Sequence, residues 1–184
     1  MTARVLVAGV GNIFLTDDGF GSEAARHLAG AVLPEGVRVV DYGIRGMHLA
    51  YDLLDGYDAL VVLDAAQRGG EPGDLVVLEV GPDDLGTGEL DAHGMAPAAV
   101  LGSLGSLGGQ LPRTFVVGCE PADVGEGIGL TPSVAAAAQR AVSVVTELLH
   151  KLDLPASDRP AVRAAGISTT TKSRSTDPER EQRP

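Results

Sequence analysis

One cysteine, no tryptophan and only 3% aromatic residues set the first bounds on this chain. The single thiol, Cys119, excludes an internal disulfide and any four-cysteine metal centre. With so few rings, the core must be assembled from Val, Leu, Ile and Ala, which suits a sheet buried between helices. No apolar run approaches the ~20 residues needed to cross a bilayer. The start, Met1-Thr2-Ala3-Arg4, leads straight into a strand-like segment without the separate apolar region and cleavage site of a secretory leader, so a cytoplasmic location is expected. Basic residues are scarce as well, and the formal net charge is −11. From Pro155 onward there are six Lys/Arg and four Asp/Glu, which leaves residues 1–154 with eight basic and twenty-one acidic groups and a net charge of −13. A body this acidic repels nucleic acid and anionic membranes, which argues against both as partners. It suits a basic protein partner or a metal cation, and it also keeps the domain soluble.

The 184 residues give room for one domain with a sizeable core and too little for two. That domain is expected over residues 1–154. Residues 155–184 turn to Ser, Thr, Arg and Pro, a composition that buries too little apolar surface to order itself, so a disordered tail is expected. Five Val/Leu-rich runs read as strands: Arg4–Ala8, Val37–Asp41, Ala59–Asp64, Leu75–Val80 and Thr114–Gly118. They are nearly continuous rather than alternating, the pattern of strands covered on both faces. Helical periodicity lies between most of them. Gly19–Ala29 carries Phe20, Ala24 and Leu28 on one face, with Gly30 as a C-terminal stop. Met47–Leu54 places Met47, Ala50, Leu53 and Leu54 together. Ala96–Leu107 has Pro97 in its first turn and Val100, Leu101, Leu104 and Leu107 at helical spacing. The longest helix runs from Pro132 to Lys151, with Thr131 as N-cap and a stripe of Val134, Ala138, Ala141, Val145, Leu148 and Leu152.

Strands alternating with helices predict a three-layer α/β/α sandwich around a mostly parallel five-stranded sheet. The loop Gln67–Gly73 is too short for a crossover helix, so the strands on either side of it, Ala59–Asp64 and Leu75–Val80, are expected to be an antiparallel pair.

Three side chains sit where strands or loops meet helices. Asp18 follows the Gly-rich loop Gly9-Val10-Gly11-Asn12, Asp64 ends the third strand, and His93 precedes a helix in Asp91-Ala92-His93-Gly94. A carboxylate at the carboxyl end of a parallel strand lies where open α/β sheets bind ligands, although an Asp there also caps turns. Two oxygens and one nitrogen can bind a borderline divalent ion such as nickel or zinc and leave positions open. Asp17 and Asp18 also have a simpler reading, since acids at a helix N-terminus stabilise it, which explains one of them more readily than both. His27 and His150 fall on helices toward the exposed side, and His48 opens a helix.

The first loop has a second reading, dinucleotide binding, with Asp41 as ribose partner. Against it, Phe14 stands where the third glycine of the G-x-G-x-x-G pattern belongs, and two carboxylates would repel a pyrophosphate. Cys119 as nucleophile has no base assigned to it by the sequence. The loop Gly125-Glu-Gly-Ile-Gly129 is expected to be mobile enough to contact a partner.

Taken together, these segments resemble the hydrogenase maturation endopeptidases, which process nickel–iron hydrogenases. The likeness runs through Gly9-Val-Gly11-Asn12 with Asp17-Asp18-Gly19-Phe20-Gly21, then Asp41-Tyr-Gly43-Ile-Arg-Gly46-Met47 and Leu63-Asp64-Ala65. It continues with His93 ahead of Val100-Leu101, Gly118-Cys-Glu120-Pro121, and Gly127-Ile-Gly129-Leu130-Thr131-Pro132-Ser-Val134. Order and spacing agree from about Val5 to Leu152. The resemblance implies the same three-layer sandwich and an endopeptidase that removes a C-terminal extension from a hydrogenase large-subunit precursor after nickel insertion. It also implies that Asp18, Asp64 and His93 contact the metal, with a shorter acid at Asp18 than the glutamate of some members. The nickel would be supplied by the substrate, and the chain would hold no tight metal of its own. The metal would then polarise the scissile carbonyl or activate water, or Asp18 or Asp64 would act as base. Two other functions stay open at this point: a self-contained metallohydrolase, and a nucleotide-binding or chaperone module built on the Gly9–Gly21 loop.

Overall fold

The computed structural model describes residues 3–84 and 97–152, so His93 and the tail beyond 152 lie outside the described residues. Strands β1 (Val5–Val10), β2 (Val37–Gly43), β3 (Ala59–Ala65), β4 (Leu75–Val80) and β5 (Arg113–Cys119) form one sheet in the order β2-β1-β3-β5-β4. All pairings are parallel except β4 with β5. Helices α1 (Phe20–Ala29) and α4 (Pro132–Leu152) cover one face, and α2 (Gly46–Leu53) and α3 (Pro97–Ser103) cover the other. The expected three-layer sandwich is what the chain forms.

Burial explains why the central strands read as unbroken apolar runs. Every residue of β1 is buried, as are the first five of β3 and the last six of β5. On one face Val5, Val7, Val61, Leu63 and Val117 pack under Phe20, Leu28, Val134 and Val145. On the other, Leu6, Ala8, Leu60, Val62 and Val116 pack under Leu49, Leu53, Leu101 and Leu104. The edge strand β2 has only Tyr42 buried, as a strand with one paired neighbour allows.

Three expectations need correction. Strand β4 does run antiparallel to its neighbour, but that neighbour is β5, because β5 enters the sheet between β3 and β4. The stripe of α2 is Leu49, Ala50 and Leu53, while Met47 and Leu54 face outward. The helix expected to Leu107 remains α-helical only to Ser103, and a 3-10 turn over Leu104–Leu107 ends at Gly108 in the left-handed region, φ 81°. Gly102, Gly105 and two serines give that segment little helix propensity, and the tighter turn leaves Leu107 exposed.

Strand β1 pairs with β2 on one side and β3 on the other, so the chain reverses its direction of sheet growth at β1. Connections leave that point toward opposite faces: α1 follows β1 on one face, and α2 precedes β3 on the other. In open α/β sheets this opens a crevice at the carboxyl ends of the two strands. Here that position lies between the loop after Val10 and the end of β3, where Asp64 stands.

Candidate active site

The loop leaving β1 is shaped by close backbone approach. A Cβ on Gly21 would stand 2.1 Å from both the Leu63 and the Val10 carbonyl oxygens, so only glycine lets α1 start this near the sheet. Gly11 has φ 129°, and a Cβ there would meet the Asp18 carbonyl oxygen at 1.9 Å. The glycines that suggested a dinucleotide loop thus seat the helix against the strands. Asp41, the candidate ribose partner, is engaged within the fold: its Oδ1 accepts from Ser22 Oγ at 2.7 Å and from Gly43 N–H at 2.9 Å.

A 3-10 turn over Thr16–Gly19 separates the two neighbouring acids. Asp17 is fully buried and its carboxylate binds the 122–131 loop. Its Oδ2 accepts from Ala122 N–H at 2.9 Å, Asp123 N–H at 3.0 Å and Thr131 Oγ1 at 2.9 Å, and its Oδ1 accepts from Thr131 N–H at 2.7 Å. Four donors satisfy one carboxylate, which fixes the 122–131 loop to the first turn after β1. Thr131 therefore keeps the N-cap position with its backbone, its carbonyl accepting from Ala135 N–H at 2.8 Å, while its hydroxyl serves Asp17. Asp17 makes this clasp from its place in the first turn of the 3-10 helix. No signal local to residue 17 reveals it, because the donors lie 105 to 114 residues away.

Asp18 is half-buried, and its Oδ2 accepts from Asn12 N–H at 2.7 Å. Asp64 is also half-buried, and its carboxyl titrates well above the usual carboxylate range. Burial is the largest cause, the neighbouring Asp18 charge adds to it, and the Ala65 N–H partly offsets it. The Asp18 charge thus acts on a carboxyl 46 positions further along the chain. Such a pair can share a cation or divide acid and base roles. Among the described residues no group of three His, Cys, Asp or Glu side chains is arranged to hold a metal ion, and the third predicted member, His93, falls outside them.

The other candidates take structural places. Cys119 is fully buried at the end of β5, and burial together with the Asp17 charge pushes its thiol up to about 12, far from a nucleophile's range. Glu120, in the same motif, accepts from Arg68 N–H at 2.7 Å and so closes the β3–β4 connection. His27 lies 3.2 Å from Glu23 on the exposed side of α1. His48 lines a shallow depression of about 440 Å³ with Tyr42, Arg45 and Asp52.

Fold and side chains together define an open α/β sandwich with Asp18 and Asp64 where its strand order reverses. A family profile described as hydrogenase maturation protease (HycI) matches residues 23–148. The hydrogenase 2 maturation protease of Escherichia coli K12 is 33% identical over 162 residues, covering 86% of this chain and 98% of that one. The hydrogenase expression/formation protein HupD of Rhizobium leguminosarum bv. viciae is 30% identical over 161 residues, covering 85% and 79%. Among solved structures, the hydrogenase maturating endopeptidase HybD from E. coli superposes with a TM-score of 0.70 at 33% identity, covering 81% of this chain and 93% of its own. The chain belongs to the hydrogenase maturation protease family, and it is an endopeptidase. Among the described residues no helix is long and apolar enough to cross a membrane.

Proposed function

We propose that this chain removes the C-terminal extension of a nickel–iron hydrogenase large-subunit precursor once nickel has been inserted, and that Asp18, Asp64 and His93 meet the nickel carried by that substrate. The observation that carries this reading is the placement of Asp18 and Asp64 where the strand order reverses at β1, with the Asp18 charge adding to the raised Asp64 carboxyl, supported by membership of the maturation protease family. Burial and the Asp18 charge both disfavour an ionised Asp64, and an arriving divalent cation favours it. Carboxylate oxygens from a 3-10 turn and a strand end also leave room for ligands from the substrate. The precursor's metal, once seated, polarises the neighbouring carbonyl or activates a water, with one carboxylate free to take the proton. The nickel arrives with the substrate, and the protease acts in the cytoplasm, keeping no tight ion of its own. Metal analysis of the purified chain checks this last point, since a stoichiometric, tightly held ion contradicts it and favours a self-contained metallohydrolase.

The site assignment is tested by processing of the nickel-loaded precursor with Asp64→Asn and His93→Ala variants. Both are expected to lose most activity. Near-normal cleavage by the two of them removes the assignment.

A further inference from the structure

Next to Asp18, two loops meet and hold three apolar side chains out into solvent. Ile13 is 49% exposed, Phe14 61% and Ile128 81%. Backbone bonds lock the loops together: Gly127 N–H donates to the Phe14 carbonyl at 2.9 Å, and Thr16 N–H donates to the Gly127 carbonyl at 3.1 Å. Leu15 and Gly127 form an isolated parallel bridge, and Thr16 Oγ1 donates to the Gly125 carbonyl at 2.9 Å. The turn is also fastened from within, because Asn12 Oδ1 accepts from Phe14 N–H at 3.0 Å.

Thr16 has φ 48°, the one positive φ of a non-glycine among the described residues. For a β-branched residue this conformation is unfavourable, and it persists only where the surroundings impose it. The chain thus accepts backbone strain to hold Ile13 and Phe14 at the tip of a rigid turn. The same turn orients the acid, since Asn12 N–H binds Asp18 Oδ2 and Asp18 N–H donates to the Leu15 carbonyl at 3.0 Å.

We infer that Ile13, Phe14 and Ile128 form a rim that docks apolar side chains of the polypeptide substrate beside the bond to be cut, an inference that rests on the endopeptidase reading given above. Two features identify the occupant as a short substrate segment. The rim is continuous with the turn that carries Asp18, so what lies on it also reaches the crevice. It is also small: three side chains offer a few hundred Å² at most, against the roughly 800 Å² per partner of a stable protein dimer, which argues against a second copy of this chain. A rigid rim adds affinity because little conformational freedom is lost when the segment binds.

The test measures cleavage of the nickel-loaded large-subunit precursor from the same organism by the full chain and by Phe14→Ser, Ile128→Ser and the double variant. A Val32→Ser variant is the control, since Val32 is 97% exposed and precedes β2 at the opposite end of the sheet. The expected result is a KM raised about tenfold or more in the double variant, with kcat within about twofold, the control unchanged and Phe14→Leu largely restored. Should Phe14→Ser fail to fold, Ile128→Ser and Phe14→Leu still decide the matter. An unchanged KM, or a loss confined to kcat, overturns the docking rim and leaves the endopeptidase reading in place. A wild-type chain that cuts no such precursor overturns both.

Discussion

Asp17 and Asp18 are neighbours in sequence and opposites in use. Asp17 is buried and saturated by four donors, so its charge is spent on joining two loops. Asp18 accepts from Asn12 N–H through Oδ2, and its charge adds to the raised Asp64 carboxyl. The contrast separates a carboxylate fully satisfied by protein donors from the one proposed to meet the substrate's metal. A single residue of displacement along a 3-10 turn is enough to send the two side chains to different faces.

The comparison breaks most visibly in activity. Asp18→Asn keeps an oxygen for Asn12 N–H but loses the charge, so cleavage of the precursor is expected to fall roughly 10²–10⁴-fold with little change in melting temperature. Asp17→Asn reverses the pattern. Its amide NH₂ must face at least one of the donors around it, leaving buried groups unsatisfied at about 3 kcal/mol in total. For a chain of this size that lowers Tm by roughly 6–12 °C, measurable by calorimetry, and activity falls only as the fold is lost.

A smaller effect concerns pH. Asp64 has a folded value raised above its ordinary 3.8, so below that value it is protonated in both states and costs nothing. As pH rises from 3.8 through the raised folded value, the unfolded chain ionises first and stability falls. Asp64→Asn removes that dependence. Its Tm is expected to exceed that of the wild type at pH 7, by roughly 2–4 °C for each kcal/mol recovered, and the gap should close below pH 4. A variant that is inactive yet more stable is the expected signature of a group strained for function.

The smallest effect is expected at Cys119. With its thiol at about 12 and its side chain sealed in the core, the native protein should resist iodoacetamide. Cys119→Ala should retain activity within about twofold and lose roughly 1 kcal/mol of stability from the small cavity.

Most of the sheet is legible in the sequence because buried parallel strands write themselves as Val/Leu runs, and β1, β3 and β5 differ from expectation only at their ends. The antiparallel sense of β4 follows from its short loop, but its place beside β5 does not, since loop length sets direction and not order in the sheet. The place of Asp64 at the carboxyl end of β3 is legible from its position after an apolar run. The division of labour between Asp17 and Asp18 is not, because it depends on donors from Ala122, Asp123 and Thr131, far along the chain. The exposed faces of Met47 and Leu54 are missed for a related reason: a short helix offers too few turns to fix the phase of its buried stripe.

The most direct measurement weighs the products of nickel-loaded and nickel-free precursor after incubation with this chain and with its Asp64→Asn variant. The account predicts loss of a C-terminal peptide only from the nickel-loaded precursor and only with the unaltered chain. Equal cleavage of both precursors, or full cleavage by Asp64→Asn, contradicts it.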